Sequence, residues 1–470
     1  VLFVLLGVCV LSRLVTSIFY IEDPDSLRFA LSLHEFDVAN LQPHFPGYPV
    51  FVWMGQLFYL LTHSYGLTFS LIGGLSTFLL IYTLIRIIPP DAYPLASLLG
   101  TTLLLINPLL WLMGNRYMPD LMGTAVALWV LYGLIHRDTK ASQQRWFWLA
   151  GGLLLGIRLS YAPLLIVPGL WLLMHVPNRS RLQLIGYGLL GTLLWLVPML
   201  WDTGWATLLA TATQQTTGHF TEFGGTIETE PNLMERLVYV IRGIWADGLG
   251  GYWIGRNPIT LLTGLSIAAG TMAGVRFSWI RWAEYRSTLL LWILSATSYL
   301  LWIYLGQNVI YKSRHVLPLL PMIIITMALG GQWVIASWSK IGKMSMLVLL
   351  LSTAITTGVL VYQHTQPTAI AQIADQLSDP AQPLVQPEAA LLATPLVRYY
   401  LAAHQVDRPV YNTRKPNTFQ LVNSWPVDSS FATIGDYRSV IQRKPTRRKT
   451  YYHNPYVNRM WAQIDCYIYE

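Results

Sequence analysis

Residues 21–50 read IEDPDSLRFALSLHEFDVANLQPHFPGYPV. The first seventeen hold five acids, Glu22, Asp23, Asp25, Glu35 and Asp37, in a chain of 470 residues that has only 23. The stretch ends in a turn, His44 to Pro49, in which each proline fixes its own φ and biases its neighbour towards extended backbone. It directly follows residues 1–20, an apolar run long enough to cross a bilayer. Acids at the mouth of a membrane helix are costly near lipid and must face water or a polar cleft. Residues 21–50 are therefore expected to be a loop on one face of a helical membrane protein.

The rest of the chain agrees with that class. It is 53% hydrophobic and 11% charged, and its 19 Trp and 26 Tyr suit two membrane–water interfaces. The chain opens on Val1 in mid-helix, so the native start is expected upstream. No small-residue cleavage pattern follows residues 1–20, and they are expected to be a first span rather than a signal peptide. Two cysteines, Cys9 and Cys466, make neither a disulfide framework nor a metal spacing. Much of the net charge of +8 lies in short loops between apolar runs, where it reads as a topology signal and not as a nucleic-acid surface.

Apolar segments fall at 1–20, 67–86, 95–114, 119–136, 146–158, 161–176, 182–201, 257–275, 287–306, 315–337 and 344–362. Residues 48–64 are ambiguous, since counting them as a span would invert everything after them. Read as a helix lying in the headgroup layer, they leave Arg86, Arg137, Lys140, Arg145, Arg179, Arg181, Arg276, Arg281, Arg286, Lys340 and Lys343 on the cytoplasmic side. Only Asp91, Asp138 and Glu284 accompany those cations, as the positive-inside rule requires. The expected fold is an all-α polytopic membrane protein of about eleven transmembrane helices, N-terminus inside and C-terminus outside. Its membrane domain, 1–362, carries a first outer loop (21–66) and a long outer loop (202–256) of the kind that binds or covers ligands. Residues 363–470 turn polar, with short runs such as PVYNT, FQLVN, SFATIG and CYIYE. They are expected to form a small extracytoplasmic α/β domain.

Three charged corners fall on the outer face. Asp25, with Asp23 and Glu22 beside it, is one. Taken alone, either Asp reads as a cap for the helix that follows. The second corner is Asn115–Asp120, with Arg116 and Asp120 in a short loop that has no structural need for charge. The third, Tyr311-Lys312-Ser313-Arg314-His315, sets two cations and a His at the start of an apolar helix, which favours an anion. Arg158 ends an apolar segment and implies a polar cavity there. Acids and cations gathered at helix ends on one face are the parts that sugar transfer from a phosphate carrier needs. A carboxylate takes the acceptor's proton, and Arg and Lys stabilise the leaving phosphate. The alternative is a transporter or lipid flippase, whose charges would sit near the bilayer midplane.

The order of acidic first loop, HFPGYP turn, interfacial helix, RYMPD corner and SRHVLPLLP resembles the GT-C glycosyltransferases, in particular the protein O-mannosyltransferase and aminoarabinose-transferase branch. Asp25 and Phe29 match that family's Asp-to-aromatic spacing, and His44 to Pro49 match its turn, with Phe45 in place of a first proline. Asp120 after Arg116 matches the second acid, and Arg314 the Arg before a Leu/Pro-rich helix. The resemblance covers roughly residues 1–340. It implies a polyprenyl-phosphate-linked sugar donor, a lipid, glycan or protein acceptor, and a bacterial inner-membrane enzyme working on the periplasmic face. Asp25 becomes the expected base, with Asp23 its rival, and Asp120 orients acceptor or sugar. His44, Arg116, Arg158, Tyr311, Lys312 and Arg314 become substrate contacts. A divalent cation could lie between Asp25 and Asp120, but Arg and Lys can neutralise a monophosphate, so none is expected.

Overall fold

The computed structural model describes every residue except 1, 137–140, 223, 338, 380–383, 387 and 407. Arg137, Asp138 and Lys140 of the loop-charge argument lie outside the described residues. The described residues are 68% helical, with a small sheet near the C-terminus.

In chain order the first helices are α1 (Leu2–Val15), α2 (Pro24–Ser32), α3 (Pro49–Thr62), α4 (Tyr65–Ile87), α5 (Pro94–Ile106), α6 (Pro108–Asn115) and α7 (Asp120–Ile135). Then come α8 (Ala141–Arg158), α9 (Pro163–His175), α10 (Asn178–Thr203), α11 (Trp205–Thr221) and α12 (Leu233–Arg242). The last long ones are α13 (Ile259–Ile280), α14 (Trp282–Gly306), α15 (Leu319–Ser337) and α16 (Ser339–His364). Prolines open α3, α5, α6 and α9, where a missing N–H costs nothing and a fixed φ helps.

Among the described residues, six helices are long and apolar enough to cross a membrane, and a seventh forms if the bent pair α5 and α6 is one span. The expected 95–114 span is that pair, bent by 49°. Pro108 breaks it: the residue before a proline is pushed from helical backbone, and Asn107 stands at φ −63°, ψ 132°. Asn107 repairs the ends, accepting Leu110 N–H at 2.9 Å and donating to the Gly248 carbonyl at 2.8 Å. Each of the other expected spans also contains a helix, but α1, α7 and α9, at 14, 16 and 13 residues, are shorter than a span. At about 1.5 Å per residue they fall short of the roughly 30 Å hydrocarbon core. Residues 202–256 are more ordered than a bare loop, for they hold α11, α12 and a π-turn at Gly243–Gly248.

The described residues form two compact units, Val1–Ser17 with Leu31–Tyr362, and Ile18–Ala30 with Gln363–Glu470. In the first, α8 runs along α10, where Trp195 donates its indole N–H to the Gly152 carbonyl at 3.0 Å.

In the second unit the chain continues through α17 (Ala369–Ser378), β1 (Ala390–Ala393), α18 (Pro395–Ala403), β2 (Val410–Asn412), α19 (Thr418–Asn423), β3 (Phe431–Ile434), β4 (Arg447–Tyr452) and β5 (Gln463–Tyr469). The sheet order is β2-β1-β3-β5-β4, with β1 parallel to both neighbours and β5 antiparallel to both of its own. Its core joins Leu392, Val422, Phe431, Ile441, Tyr467 and Tyr469. Of the short runs marked in the sequence, three are strands and FQLVN is the helix α19. The basic run Arg447-Arg448-Lys449 opens the edge strand β4, where charge blunts unwanted pairing, and Arg448 lies 2.9 Å from Asp465.

Candidate active site

The first unit brings three of the expected residues to one buried point. Asp120 begins α7, where a helix dipole favours an anion, and Arg158 ends α8, where it favours a cation. Arg158 Nη2 stands 3.0 Å from Asp120 Oδ1, and Arg314 Nε stands 3.8 Å from the same oxygen. All three are buried. Gly123, one turn into α7, permits this approach: a Cβ there would stand 2.8 Å from Arg158 Cβ and 3.0 Å from the Tyr161 ring.

A hydrogen-bonded chain leads outward from this pair to the proline-bracketed turn. Arg158 Nη1 donates to Tyr48 Oη at 3.1 Å, and Tyr48 Oη lies 3.1 Å from His44 Nε2. The turn winds tightly enough to aim Tyr48 this way. Gly47 and Tyr48 are both left-handed, at φ 84° and 48°, and a Cβ on Gly47 would stand 2.9 Å from Val38. Gly47 N–H closes the turn on the His44 carbonyl at 3.0 Å, and Pro49 then starts α3.

Two more tyrosines wall the pair. Tyr161 donates to the Asp120 carbonyl at 3.3 Å, and its ring meets that of Tyr299 edge-on, 5.8 Å between centroids. Tyr299 donates to the His315 carbonyl at 2.8 Å. Arg116 is buried at the corner before Asp120. That corner is set by Tyr117, stacked on Phe69 at 4.7 Å, and by Asn115, which donates to the Arg13 carbonyl and Ser70. Among the described residues, Asp120 Oδ2, Arg158 Nε and His315 Nδ1 are buried without a hydrogen-bond partner. A buried polar atom left in this way costs about 1–3 kcal/mol.

Lys312 and Tyr311 lie in the turn between α14 and α15. The turn is pinned by Asn308, which accepts Tyr311 N–H at 3.0 Å and donates to the Gly224 carbonyl at 2.9 Å. Fully buried Arg236 donates to the carbonyls of Tyr304, Gly225 and Gln307. Tyr311 directs its hydroxyl to Glu230 at 3.2 Å and is half exposed; burial and then that carboxylate push its phenol pKa up. Arg314 and His315 sit in a 3-10 turn (Ser313–Val316), ahead of α15 rather than at its first residue. His219, at the end of α11 and not marked in the sequence, donates Nε2–H to the Gly306 carbonyl at 2.9 Å. Burial, with Lys312 and Arg158 adding to it, lowers its pKa.

The second unit holds the acidic triplet. Asp23 is the helix cap, accepting Ser26 N–H at 2.8 Å through Oδ1. Asp25 lies in the first turn of α2, 3.3 Å from Arg28 Nη1, and Arg28 stands 5.8 Å over the Tyr399 ring. Glu22 Oε1 is 3.0 Å from His364 Nε2, both buried. Among the described residues no group of three or more His, Cys, Asp or Glu could hold a metal ion.

Two solved structures match the whole architecture: ArnT from Cupriavidus metallidurans bound to undecaprenyl phosphate, and the same protein in the apo state. In each case the match covers 99% of this chain and 97% of the other, at TM-score 0.55 and 14% identity. The fold is that of ArnT. ArnT is an aminoarabinose transferase, a GT-C glycosyltransferase, the branch to which the first loop and its turn pointed. No protein-family model and no curated protein matches the sequence. At this identity the likeness to ArnT is one of fold, and the chemistry has to be argued from the residues.

Proposed function

We propose that this chain is an integral membrane glycosyltransferase that moves a sugar from a polyprenyl-phosphate carrier to an acceptor outside the cytoplasm. The observation that carries the reading is the buried point where Arg158 and Arg314 converge on Asp120. It occurs in a chain with the fold of a protein solved with undecaprenyl phosphate bound. A guanidinium presents five N–H donors in a planar fork, so each Arg can hold Asp120 and still donate to a phosphate oxygen.

In the proposed reaction Asp25 takes the proton from an acceptor hydroxyl as its oxygen attacks the anomeric carbon. The bond from that carbon to the phosphate oxygen breaks, and its electron pair leaves with the polyprenyl phosphate. Arg158, Arg314 and Lys312 stabilise that charge. Arg116 and Asp120 orient substrate. Asp23 is occupied as a cap, which favours Asp25 as the base. The acceptor is a lipid, glycan or protein, and membrane lipids surround the apolar helices. The topology follows the loop charges: about eleven spans, cytoplasmic N-terminus, and the site on the periplasmic face of a bacterial inner membrane. A divalent cation is not required by this scheme.

The test is transfer by the purified chain in proteoliposomes carrying undecaprenyl-phosphate-linked sugars. The reading expects undecaprenyl phosphate to appear in step with glycosylated acceptor. Movement of lipid or solute across the bilayer without cleavage would instead make the chain a transporter or flippase.

A further inference from the structure

The segment that carries Asp25 is held along its length by the sheet-bearing unit. Tyr20 donates its hydroxyl to the His364 carbonyl at 2.8 Å. The Ile21 carbonyl accepts from Tyr400 Oη, and the Glu22 carbonyl accepts from Thr368 Oγ1 at 2.9 Å. The Glu22 carboxylate meets His364 Nε2 at 3.0 Å, and Asp23 Oδ2 accepts from Asn458 Nδ2 at 3.3 Å. Four successive residues, 20 to 23, thus each have a partner between 364 and 458. Glu22, Asp23, His364, Thr368, Tyr400 and Asn458 are all buried.

The pattern has a physical reason. α1 ends at Val15 and α2 begins at Pro24, so the carbonyls between them belong to no helix or sheet and must find partners elsewhere when buried. Tyr400 and Thr368 supply them as side chains fixed on α18 and at the N-cap of α17. Asn458 is itself locked, because His453 takes Ala369 N–H on Nδ1 and so offers Nε2–H to the Asn458 carbonyl at 2.9 Å. Asp23 ties the two ends together, accepting from Asn458 with one oxygen and from Ser26 N–H with the other. Two residues beyond that cap stands Asp25.

We propose that the C-terminal unit is a positioning element for the catalytic base: Tyr400, Thr368, His364 and Asn458 clamp residues 20–23 and thereby fix the Asp25 carboxylate. The proposal rests on Asp25 being the base. None of the four touches the reacting atoms, and they act through the backbone that carries Asp25. A displacement of about 1 Å at a reacting group can cost roughly 10² in rate, so the clamp's effect should fall on turnover and not on donor binding.

The experiment uses the full chain in proteoliposomes, comparing Thr368→Val/Tyr400→Phe with Tyr437→Phe. The last removes a hydroxyl that bonds Thr413 elsewhere in the same unit. Turnover is read with an undecaprenyl-phosphate-linked sugar that the unaltered chain uses, and amide hydrogen exchange is read over residues 18–30 and over β1, β3 and β5. The expected result for the double variant is a kcat lower by about 10–100-fold with donor KM within roughly twofold. Exchange should rise in residues 18–30 while the sheet stays protected, and Tyr437→Phe should change neither. Unchanged exchange in 18–30, unchanged kcat, or exchange rising equally through the sheet would each overturn the clamp. Asp25→Asn runs beside them. Full activity in that variant would overturn the base, and with it the positioning of a base, while exchange alone would still report whether the segment is held.

Discussion

Arg158 Nη2 lies 3.0 Å from Asp120 Oδ1, with the two side chains 6% and 1% exposed. A buried pair of this kind is weak evidence of net stability, yet removing one partner strands the other and typically costs about 3–5 kcal/mol. Asp120→Ala should therefore lower the unfolding temperature in detergent markedly. Asp120→Ala with Arg158→Met should recover part of the loss, leaving a coupling of about 0.5–3 kcal/mol in a double-mutant cycle. Simple addition of the two single losses would show that the pair is not coupled.

Arg314 reaches the same carboxylate at 3.8 Å, and in the proposed reaction it stabilises the leaving phosphate. Arg314→Ala should lower kcat by about 10²–10³, the effect of losing one donor to a developing oxyanion. Arg314→Lys should fall between, because it keeps the charge and loses the fork. Turnover of the Ala variant equal to that of the unaltered chain would remove Arg314 from the site.

Gly123 offers a steric test that alters no charge. A methyl group there would meet Arg158 Cβ at 2.8 Å and the Tyr161 ring at 3.0 Å. Both neighbours are anchored, so Gly123→Ala should displace Arg158 and lower transfer at least tenfold, while Gly7→Ala, with nothing within 4 Å, should be silent. Equal activities of the two variants would mean that Arg158 need not hold its present place.

His219 gives a prediction in pH. Burial, then Lys312 and Arg158, hold its folded pKa below the ordinary 6.5. The unfolded chain then binds the proton more readily, so stability is fully present above pH 6.5 and is lost as pH falls from 6.5 through the folded value. His219→Gln should flatten that part of the stability profile, measured by thermal unfolding between pH 7.5 and about 5. An unchanged profile would show that His219 does not contribute to it.

The sequence showed where charge gathers but not which charges meet. Asp120, Arg158 and Arg314 each drew notice as costly groups at helix ends. Their convergence joins α7, α8 and the turn before α15, and no local pattern encodes that. Tyr48 could be placed in a proline-bracketed turn, yet its link to Arg158 depends on two successive left-handed residues. Nothing in the residues next to Tyr161 or His219 marks either as part of a buried charged site. The apolar run 1–20 reads as one continuous span because hydropathy does not register that the helix stops at Val15, after which residues 18–30 join the C-terminal unit. Asp23 and Asp25 look alike as caps in the sequence; the Ser26 N–H bond makes Asp23 the cap, while Asp25 pairs with Arg28.

The account turns on the carboxylate of Asp25, and the direct measurement is transfer by Asp25→Asn against Asp23→Asn in proteoliposomes with an undecaprenyl-phosphate-linked donor. Asn keeps the side chain's shape and caps a helix about as well as Asp, but it cannot take a proton as a carboxylate does. The account predicts a fall of about 10²–10⁴ for Asp25→Asn, with folding preserved, and a milder loss for Asp23→Asn. Full activity in Asp25→Asn, or a loss confined to Asp23→Asn, would contradict it.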